Sequence, residues 1–157
     1  MKVDETPDST SAKPGSKVSL LIVDDETDFR ESACRYLGRI GFDVDEAEDG
    51  EEALNVTTNK KFDVVILDIH MPGINGIETL KQLMQRDPAP KVVMLTGGGT
   101  IENAVESIKL GAYDFLTKPI KMDDLARWSI GPVRLSNLRK RIGNSRRLFG
   151  VRHQNRI

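Results

Sequence analysis

The sequence FDVVILD, residues 62–68, decides the fold, because four consecutive aliphatic residues lead directly into an aspartate. A short and almost continuous apolar run is typical of a parallel strand that helices cover on both faces. Two similar runs precede it in the chain and two follow it. The sequence therefore predicts five strands, at residues 18–23, 42–47, 62–67, 91–95 and 113–117.

Apolar residues at helical spacing fill the intervals between these strands. We expect helices that end at Ile40, cover 50–58, begin at Gly76 and stop before Asp87 and Pro88, cover 100–110, and begin near Met122. The spaced apolar positions are Phe29, Ala33, Leu37 and Ile40; Ala53, Leu54 and Val56; Ile77, Leu80, Leu83 and Met84; and Ile101, Ala104, Val105 and Ile108. This alternation predicts an α/β fold, a doubly wound five-stranded parallel sheet in flavodoxin-like order 2-1-3-4-5 with helices on both faces.

Composition limits the class of protein. A length of 157 residues suits one domain, and 5% aromatic residues argue against stacking surfaces for single-stranded nucleic acid. The single cysteine, Cys34, excludes an internal disulfide, and we interpret it as a small buried filler rather than a nucleophile. The apolar runs are far shorter than the roughly 20 residues that span a bilayer, so we expect a soluble, cytoplasmic protein with no membrane contact.

Polar residues follow the predicted strands at the points where those strands end. Asp24 and Asp25 follow the first strand, Asp68 the third, Thr96 the fourth and Lys118 the fifth. The carboxyl ends of parallel strands share one edge of the sheet, so these side chains should converge. Clustered carboxylates need a cation, and hard oxygen ligands in incomplete number favour Mg2+.

This set of groups suits phosphoryl transfer. A divalent ion, an ammonium group and a hydroxyl group stabilise the charge that develops on a transferred phosphoryl group. Asp68 follows the central strand and is the candidate nucleophile, since carboxylates can form aspartyl-phosphates. Each acid taken alone is equally compatible with a helix cap or a turn residue.

Four motifs resemble those of the receiver domains of two-component response regulators, in the same order and at the same spacing. They are LLIVDDE at 20–26, VVILDIHMPGINGIE at 64–78, VVMLTGGGT at 92–100 and GAYDFLTKPI at 111–120. The resemblance covers about residues 18–124. GGGT and GAYDFLTKPI most resemble receivers of enhancer-binding transcription activators of the nitrogen-regulation type.

The resemblance implies a role for each candidate residue. Asp68 would be the phosphoryl acceptor and, with Asp25, a direct ligand of the Mg2+ cofactor, while Asp24 would act mainly through metal-bound water. His70 would contribute its backbone carbonyl to the metal, and its imidazole need not bind anything.

Thr96 would be the switch hydroxyl and Lys118 the ammonium group that bonds to the phosphoryl oxygen, with a cis peptide bond before Pro119. Phe115 would be the switch aromatic, although ordinary core packing would also explain it.

The function implied is that of a signalling switch rather than an enzyme acting on other molecules. A sensor histidine kinase or a phosphotransfer protein would donate the phosphoryl group, and the domain would catalyse only its own phosphorylation and dephosphorylation. The surface of strands four and five, with the helix at 100–110, would then control an output in transcription regulation or support a homodimer.

Two other functions compete with this interpretation. A haloacid-dehalogenase-like phosphatase also uses a strand-end aspartate, Mg2+, Thr and Lys, but it requires a second acid two residues after its nucleophile, where this sequence has His70. A degenerate receiver acting only as an adaptor would not need the full set of acids and the lysine.

Both ends of the chain differ from its centre. Residues 1–17 are polar and predicted to be a disordered leader, 18–130 the receiver domain, and 131–157 a basic linker or tail. Residues 125–157 contain nine Lys and Arg and no acid, which offsets the acidic excess before them and leaves a formal net charge of −1. For the basic tail, a solvated linker is the favoured interpretation and nucleic-acid contact the less favoured one. The candidate residues for nucleic-acid contact are Arg139, Lys140, Arg141, Arg146 and Arg147.

The last predicted helix is interrupted by Gly131 and Pro132. Proline disfavours helix at the preceding residue, so we expect this helix to stop or kink near Ile130. Leu125 and Trp128, with Ile130 as a further candidate, would then cover the sheet.

Overall fold

Strands and helices alternate along the chain in this computed structural model, which describes residues 17–131. The elements are β1 (Ser19–Val23), α1 (Thr27–Arg39), β2 (Asp43–Ala47), α2 (Gly50–Asn59), β3 (Val64–Leu67), α3 (Gly76–Leu83), β4 (Lys91–Thr96), α4 (Ile101–Lys109) and β5 (Asp114–Thr117). A final helical segment, 122–131, follows β5. The predicted leader and the basic tail lie outside the described residues, apart from Lys17 and Gly131.

The five strands form one parallel sheet in the order β2-β1-β3-β4-β5. The predicted fold class and strand order are therefore confirmed. β3 is the central strand, and all four of its residues are buried. Because β1 and β4 pair with it on either side, the residues that follow β1, β3 and β4 share one edge of the sheet.

The residues of β3 alternate between two apolar clusters on opposite faces of the sheet. Val65 and Leu67 pack with residues of α2 and α3, including Ala53 and Leu80. Val64 and Ile66 pack on the other face with residues of α1 and the final helical segment; these include Ala33, Leu37, Leu125 and Ala126. Burying one such aliphatic side chain contributes roughly 1.5–3 kcal/mol, so helices on both faces are needed to stabilise the sheet.

Three helices begin at side-chain caps on the edge where the strands end. The side chains of Asp49, Asn75 and Thr100 each accept a hydrogen bond from the backbone N–H three residues later, at the starts of α2, α3 and α4. α1 has no such side-chain cap. Its start depends instead on the loop after β1, where the Asp24 side chain accepts a hydrogen bond from the Glu26 N–H at 2.9 Å.

Two expectations about apolar residues are wrong. Ile40 is 49% exposed and follows the last residue of α1, because the chain turns at Gly41, where φ is +115°. Trp128 is 41% exposed and does not cover the sheet. The final helical segment buries Leu125, Ala126 and Ser129 instead. The buried Ser129 hydroxyl donates a hydrogen bond to the Leu125 carbonyl at 2.7 Å.

Only part of the predicted end of the last helix lies within the described residues. Ile130 packs partly buried against the core, as expected, and helix continues through Gly131. Pro132, and with it the expected stop or kink, lies outside the described residues. Within residues 17–131, no helix combines the length and the apolar character that crossing a membrane requires.

Gly76 brings the start of α3 into contact with the backbone after β3. Its N–H donates to the Ile69 carbonyl at 2.8 Å. A Cβ at this position would overlap the Asp68 carbonyl oxygen and lie 2.7 Å from the Ile69 Cα. The absence of a side chain at Gly76 therefore allows α3 to pack directly behind Asp68.

We expect Gly76→Ala to lower the free energy of unfolding by about 2 kcal/mol, because backbone atoms must move to admit the methyl group. Gly38→Ala is the matched control, since no atom lies within 4 Å of its Cβ position on α1. That change should raise the free energy of unfolding by about 0.5–1 kcal/mol by removing a helical glycine. Urea denaturation measures both, and equal effects of the two changes would contradict the close-packing argument.

Candidate metal centre

Three carboxylates meet where β1 and β3 end. One carboxylate oxygen each from Asp24, Asp25 and Asp68 lie within 4.8 Å of one another. Asp24 and Asp68 are buried, whereas Asp25 is exposed, so the cluster is open to solvent on one side. Hard oxygen donors in this number and proximity suit a divalent ion that keeps some of its water ligands. The residues present therefore fit a magnesium or calcium ion.

Asp24 is held at four atoms. Its N–H donates to the Ala47 carbonyl at 3.1 Å, and its carbonyl accepts a hydrogen bond from Arg30 at 2.7 Å. One carboxylate oxygen accepts from the Glu26 N–H, and the other accepts from Lys118 Nζ at 2.6 Å. These contacts leave Asp24 little freedom to move.

Burial raises the pKa of Asp24 above its ordinary value, and the nearby charge of Asp68 adds to this effect. Hydrogen bonds from Lys118 and from the Glu26 N–H work in the opposite direction without cancelling it. The ionised form of Asp24 is therefore disfavoured by its surroundings when no cation is bound.

Lys118 brings a positive charge to the cluster from the end of β5. Its Nζ lies 2.6 Å from Asp24, 3.3 Å from Glu26 and 3.9 Å from Asp68, measured to carboxylate oxygens. It also lies 4.2 Å from the centre of the Phe29 ring. Burial alone would lower the pKa of Lys118, but the hydrogen bond to Asp24 and the surrounding carboxylates raise it overall. The ammonium group therefore stays charged at neutral pH.

The position of Lys118 depends on the backbone around it. Its N–H donates to the Thr96 carbonyl at 3.0 Å, and the peptide bond to Pro119 is cis, as the resemblance implied. The side chain is closer to Asp24 and Glu26 than to Asp68. Glu26 was not identified as a partner from the sequence.

Thr96 is the last residue of β4, and Phe115 lies on β5, the strand that leads to Lys118. Thr96 is fully buried, and its hydroxyl oxygen accepts a hydrogen bond from the Gly98 N–H at 3.5 Å. A Cβ on Gly99 would lie 2.7 Å from the Thr96 methyl group and 2.5 Å from the Phe115 ring. The backbone of Gly99 thus lies against both side chains. Among the described residues, neither side chain hydrogen-bonds to the three acids.

The imidazole of His70 makes a contact that the sequence did not predict. Its Nε2 lies 3.2 Å from the Gly98 carbonyl oxygen. Since a carbonyl can only accept, Nε2 donates this hydrogen bond. The backbone N–H of His70 also lies 3.4 Å from an Asp68 carboxylate oxygen. His70 therefore connects the loop after β3 with the loop after β4.

Arg30 is the second functional candidate that sequence reasoning missed. It is 7% exposed and donates to the carbonyl of Asp24. A signal was present in the sequence, because Arg30 shares helical spacing with Ala33 and Leu37 and so places a charge on the inward face of α1.

Cys34, on the same helix, is partly buried, and burial raises the pKa of its thiol to about 12. The thiol stays protonated at neutral pH, which agrees with its interpretation as filler.

Comparison with protein families gives a match over residues 20–128 to the response regulator receiver domain. The chain is 35% identical over 122 residues to the response regulator protein PilR of Pseudomonas aeruginosa, covering 78% of this chain and 27% of that protein. It is 39% identical over 112 residues to an NtrX-like response regulator of Rickettsia bellii, covering 70% of this chain and 23% of that one. The chain thus spans about a quarter of the length of these relatives.

Solved structures give the same result. A CheY-like receiver domain protein from Methanospirillum hungatei superimposes with a TM-score of 0.74 at 31% identity, over 80% of this chain and 99% of that one. A response regulator from Burkholderia pseudomallei, solved with a phosphorylated aspartic acid, a calcium ion and citrate, superimposes with a TM-score of 0.66. Its identity is 29%, over 69% of this chain and 64% of that one.

Replacing Asp24 should stabilise the protein when divalent ions are removed by a chelator. Because burial raises the pKa of Asp24, its ionised form opposes folding, and we expect Asp24→Asn to raise the free energy of unfolding at pH 7 by about 1 kcal/mol. As the pH falls through the raised pKa, Asp24 of the wild type takes up a proton, and the difference should shrink. Urea denaturation at several pH values measures this.

The exposed Asp87 supplies the control, and Asp87→Asn should change the free energy of unfolding by less than about 0.5 kcal/mol. A metal-free Asp24→Asn protein less stable than the wild type at pH 7 would show that the hydrogen bonds of Asp24 outweigh the cost of its buried charge.

Proposed function

Because this chain belongs to the response regulator receiver domain family, whose members take phosphoryl groups from histidine kinases, we propose that Asp68 is its phosphoryl acceptor. The observation that carries this proposal is the convergence of Asp24, Asp25 and Lys118 on Asp68 at the end of the central strand. We assign this role to a receiver unit of residues 18–130, with 1–17 as a leader and 131–157 as a linker or tail.

The chemistry is an in-line transfer to the carboxylate. An oxygen of Asp68 forms a bond to phosphorus while the bond from phosphorus to the donor's histidine nitrogen breaks. The electron pair stays on that nitrogen, which takes a proton from water. Asp68 is 7% exposed, and its two oxygens lie near the His70 N–H and the Lys118 ammonium group, which supports an oriented and shielded nucleophile. The domain would catalyse this step and the later hydrolysis only on itself, and on no other substrate.

Asp25, Asp68 and the His70 carbonyl would hold Mg2+ directly, and Asp24 would hold it through water. When bound, the ion offsets the repulsion between the carboxylates and the negative charge on the transferred phosphoryl group. The calcium ion in the phosphorylated Burkholderia pseudomallei relative supports a divalent cation of this type.

Lys118 and Thr96 would carry the switch. Phosphorylation would replace the single negative charge of the Asp68 carboxylate with about two negative charges on the phosphoryl oxygens. This charge would draw Lys118 away from Asp24 and Glu26 and draw the Thr96 hydroxyl inward, toward the phosphoryl oxygens. Gly99 lies against both Thr96 and Phe115, so movement of one side chain would leave space for the other. The altered surface would include β4, β5 and α4.

The output we propose is transcription regulation inside the cytoplasm, without a membrane partner. The relatives PilR and the NtrX-like protein are named as response regulators, and most of their length lies outside the match. Nucleic-acid contact through the basic tail is the less favoured alternative to a solvated linker.

Phosphorylation can be tested directly. Incubation of the protein with Mg2+ and acetyl phosphate should add the mass of one phosphoryl group, and Asp68→Asn should abolish this addition because it removes the nucleophile. Intact-mass spectrometry measures the product. The control Asp28→Asn removes an exposed carboxylate on α1 and should not change the yield. No addition to the wild type, or equal addition to Asp68→Asn, would refute the acceptor role.

A second copy of the chain is the partner that we propose for α4. Ile101, Val105 and Ile108 lie on one side of this helix and are 84%, 48% and 49% exposed. Ser107, not one of these apolar residues, is the residue that α4 buries. An exposed apolar stripe next to the switch strands suits a homodimer that forms after phosphorylation.

In the presence of acetyl phosphate, we expect the wild type to dimerise and Ile108→Glu to weaken the dimer at least about tenfold, because a charge would enter an apolar interface. Ile40→Glu is the matched control, since Ile40 is also 49% exposed but lies after α1. Sedimentation velocity over a range of concentrations gives the dissociation constants. Equal weakening by both changes would argue against α4 as the interface.

A further inference from the structure

Arg30 connects three elements around the carboxylate cluster. It lies on the inward face of α1, and one guanidinium nitrogen donates to the Asp24 carbonyl at 2.7 Å. Its Nε donates to the Glu46 carboxylate on β2 at 3.3 Å. Arg30 therefore joins α1 and the edge strand to the loop that carries Asp24 and Asp25.

Stability alone does not explain this buried cation. Arg30 is 7% exposed, while the side chain of its carboxylate partner Glu46 remains 47% exposed. Removing a guanidinium group from water costs free energy, and a pair of this kind often contributes little net stability. The shorter contact is the one to the neutral Asp24 carbonyl, which favours a geometric role for Arg30.

The position of the Asp24 carbonyl affects the direction in which Asp25 points. The carbonyl of Asp24 and the N–H of Asp25 belong to one planar peptide unit, so fixing the first fixes the direction in which the chain enters Asp25. Asp25 is exposed, and within residues 17–131 its side chain accepts no hydrogen bond. The backbone therefore sets the position and direction from which the Asp25 side chain extends toward the cluster.

We infer that Arg30 is a positioning residue that holds the Asp24–Asp25 peptide so that the carboxylate cluster prefers Mg2+ to Ca2+. This inference rests on the proposed metal site. Mg2+ demands near-ideal octahedral geometry at short distances, whereas Ca2+ accepts longer and more variable arrangements. A small rotation of Asp25 would consequently weaken Mg2+ binding more than Ca2+ binding.

A purely electrostatic role for Arg30 would have the opposite sign. The guanidinium group is positive and lies beside the cluster, so its charge alone repels a cation. Removing only that charge would strengthen binding of both ions. The sign of the change and the difference between the two ions thus separate positioning from charge.

The experiment measures dissociation constants for Mg2+ and Ca2+ by calorimetry in the wild type, Arg30→Met and Arg30→Lys. Arg30→Met should weaken Mg2+ binding about tenfold and Ca2+ binding by less than about threefold. Arg30→Lys keeps the charge but cannot reproduce the planar two-point contact, and it should also lose part of the preference. Circular dichroism verifies folding, and Arg30→Lys decides the matter if Arg30→Met does not fold.

Lys60→Met is the matched control, because Lys60 also pairs with acids on β2, Asp43 at 3.0 Å and Asp45 at 2.8 Å. It should leave both dissociation constants unchanged. Tighter binding of both ions, parallel weakening of both, or no change in either Arg30 variant would overturn the inference while leaving the metal site intact. If the wild type binds neither ion, the proposed metal site fails and the inference fails with it.

Discussion

Repulsion between carboxylates is the constraint on which the rest of the site depends. Asp24 and Asp68 are buried beside each other, and Asp25 adds a third charge at the rim. Burial and the charge of Asp68 both raise the pKa of Asp24, so this cluster is unfavourable without positive charge nearby. Lys118 supplies one such charge, and a divalent ion would supply the rest. A site that is costly until it is neutralised is well suited to respond when a phosphoryl group changes its charge.

The fold creates this constraint and also limits its cost. Strand order brings the ends of β1, β3 and β5 to one edge of the sheet, although Lys118 is 94 residues from Asp24 in the chain. The close approach at Gly76 packs α3 against the backbone after Asp68. Hydrogen bonds to Ala47, Glu26 and Arg30 hold the Asp24 loop, so the charged groups have few ways to move apart. We therefore attribute the stability of this site to its rigid backbone rather than to favourable contacts among its charges.

Much of the fold and the membership of the site could be predicted from the sequence. Apolar runs such as Val64–Leu67 indicate buried strands, and an aspartate or lysine directly after a run must lie at a strand end. The prediction was wrong for Ile40 and Trp128, because periodicity shows which residues share a helix face but not where a helix ends or what covers that face. Arg30 was missed for a related reason, since its helical spacing with Ala33 and Leu37 places it on the inward face of α1 but does not reveal its partner, which is a backbone carbonyl.

The sequence by itself determined the number and order of the strands, the fold class, and the identity of the residues at the strand ends, because these follow from local apolar patterns and parallel pairing. Only the tertiary structure decided that Lys118 pairs with Asp24 and Glu26 more closely than with Asp68, that His70 bonds to the Gly98 carbonyl, and that Arg30 holds the Asp24 peptide. The physical reason is distance. These contacts join atoms that are remote in sequence and a few ångströms apart in space, and side-chain direction and backbone packing fix them together.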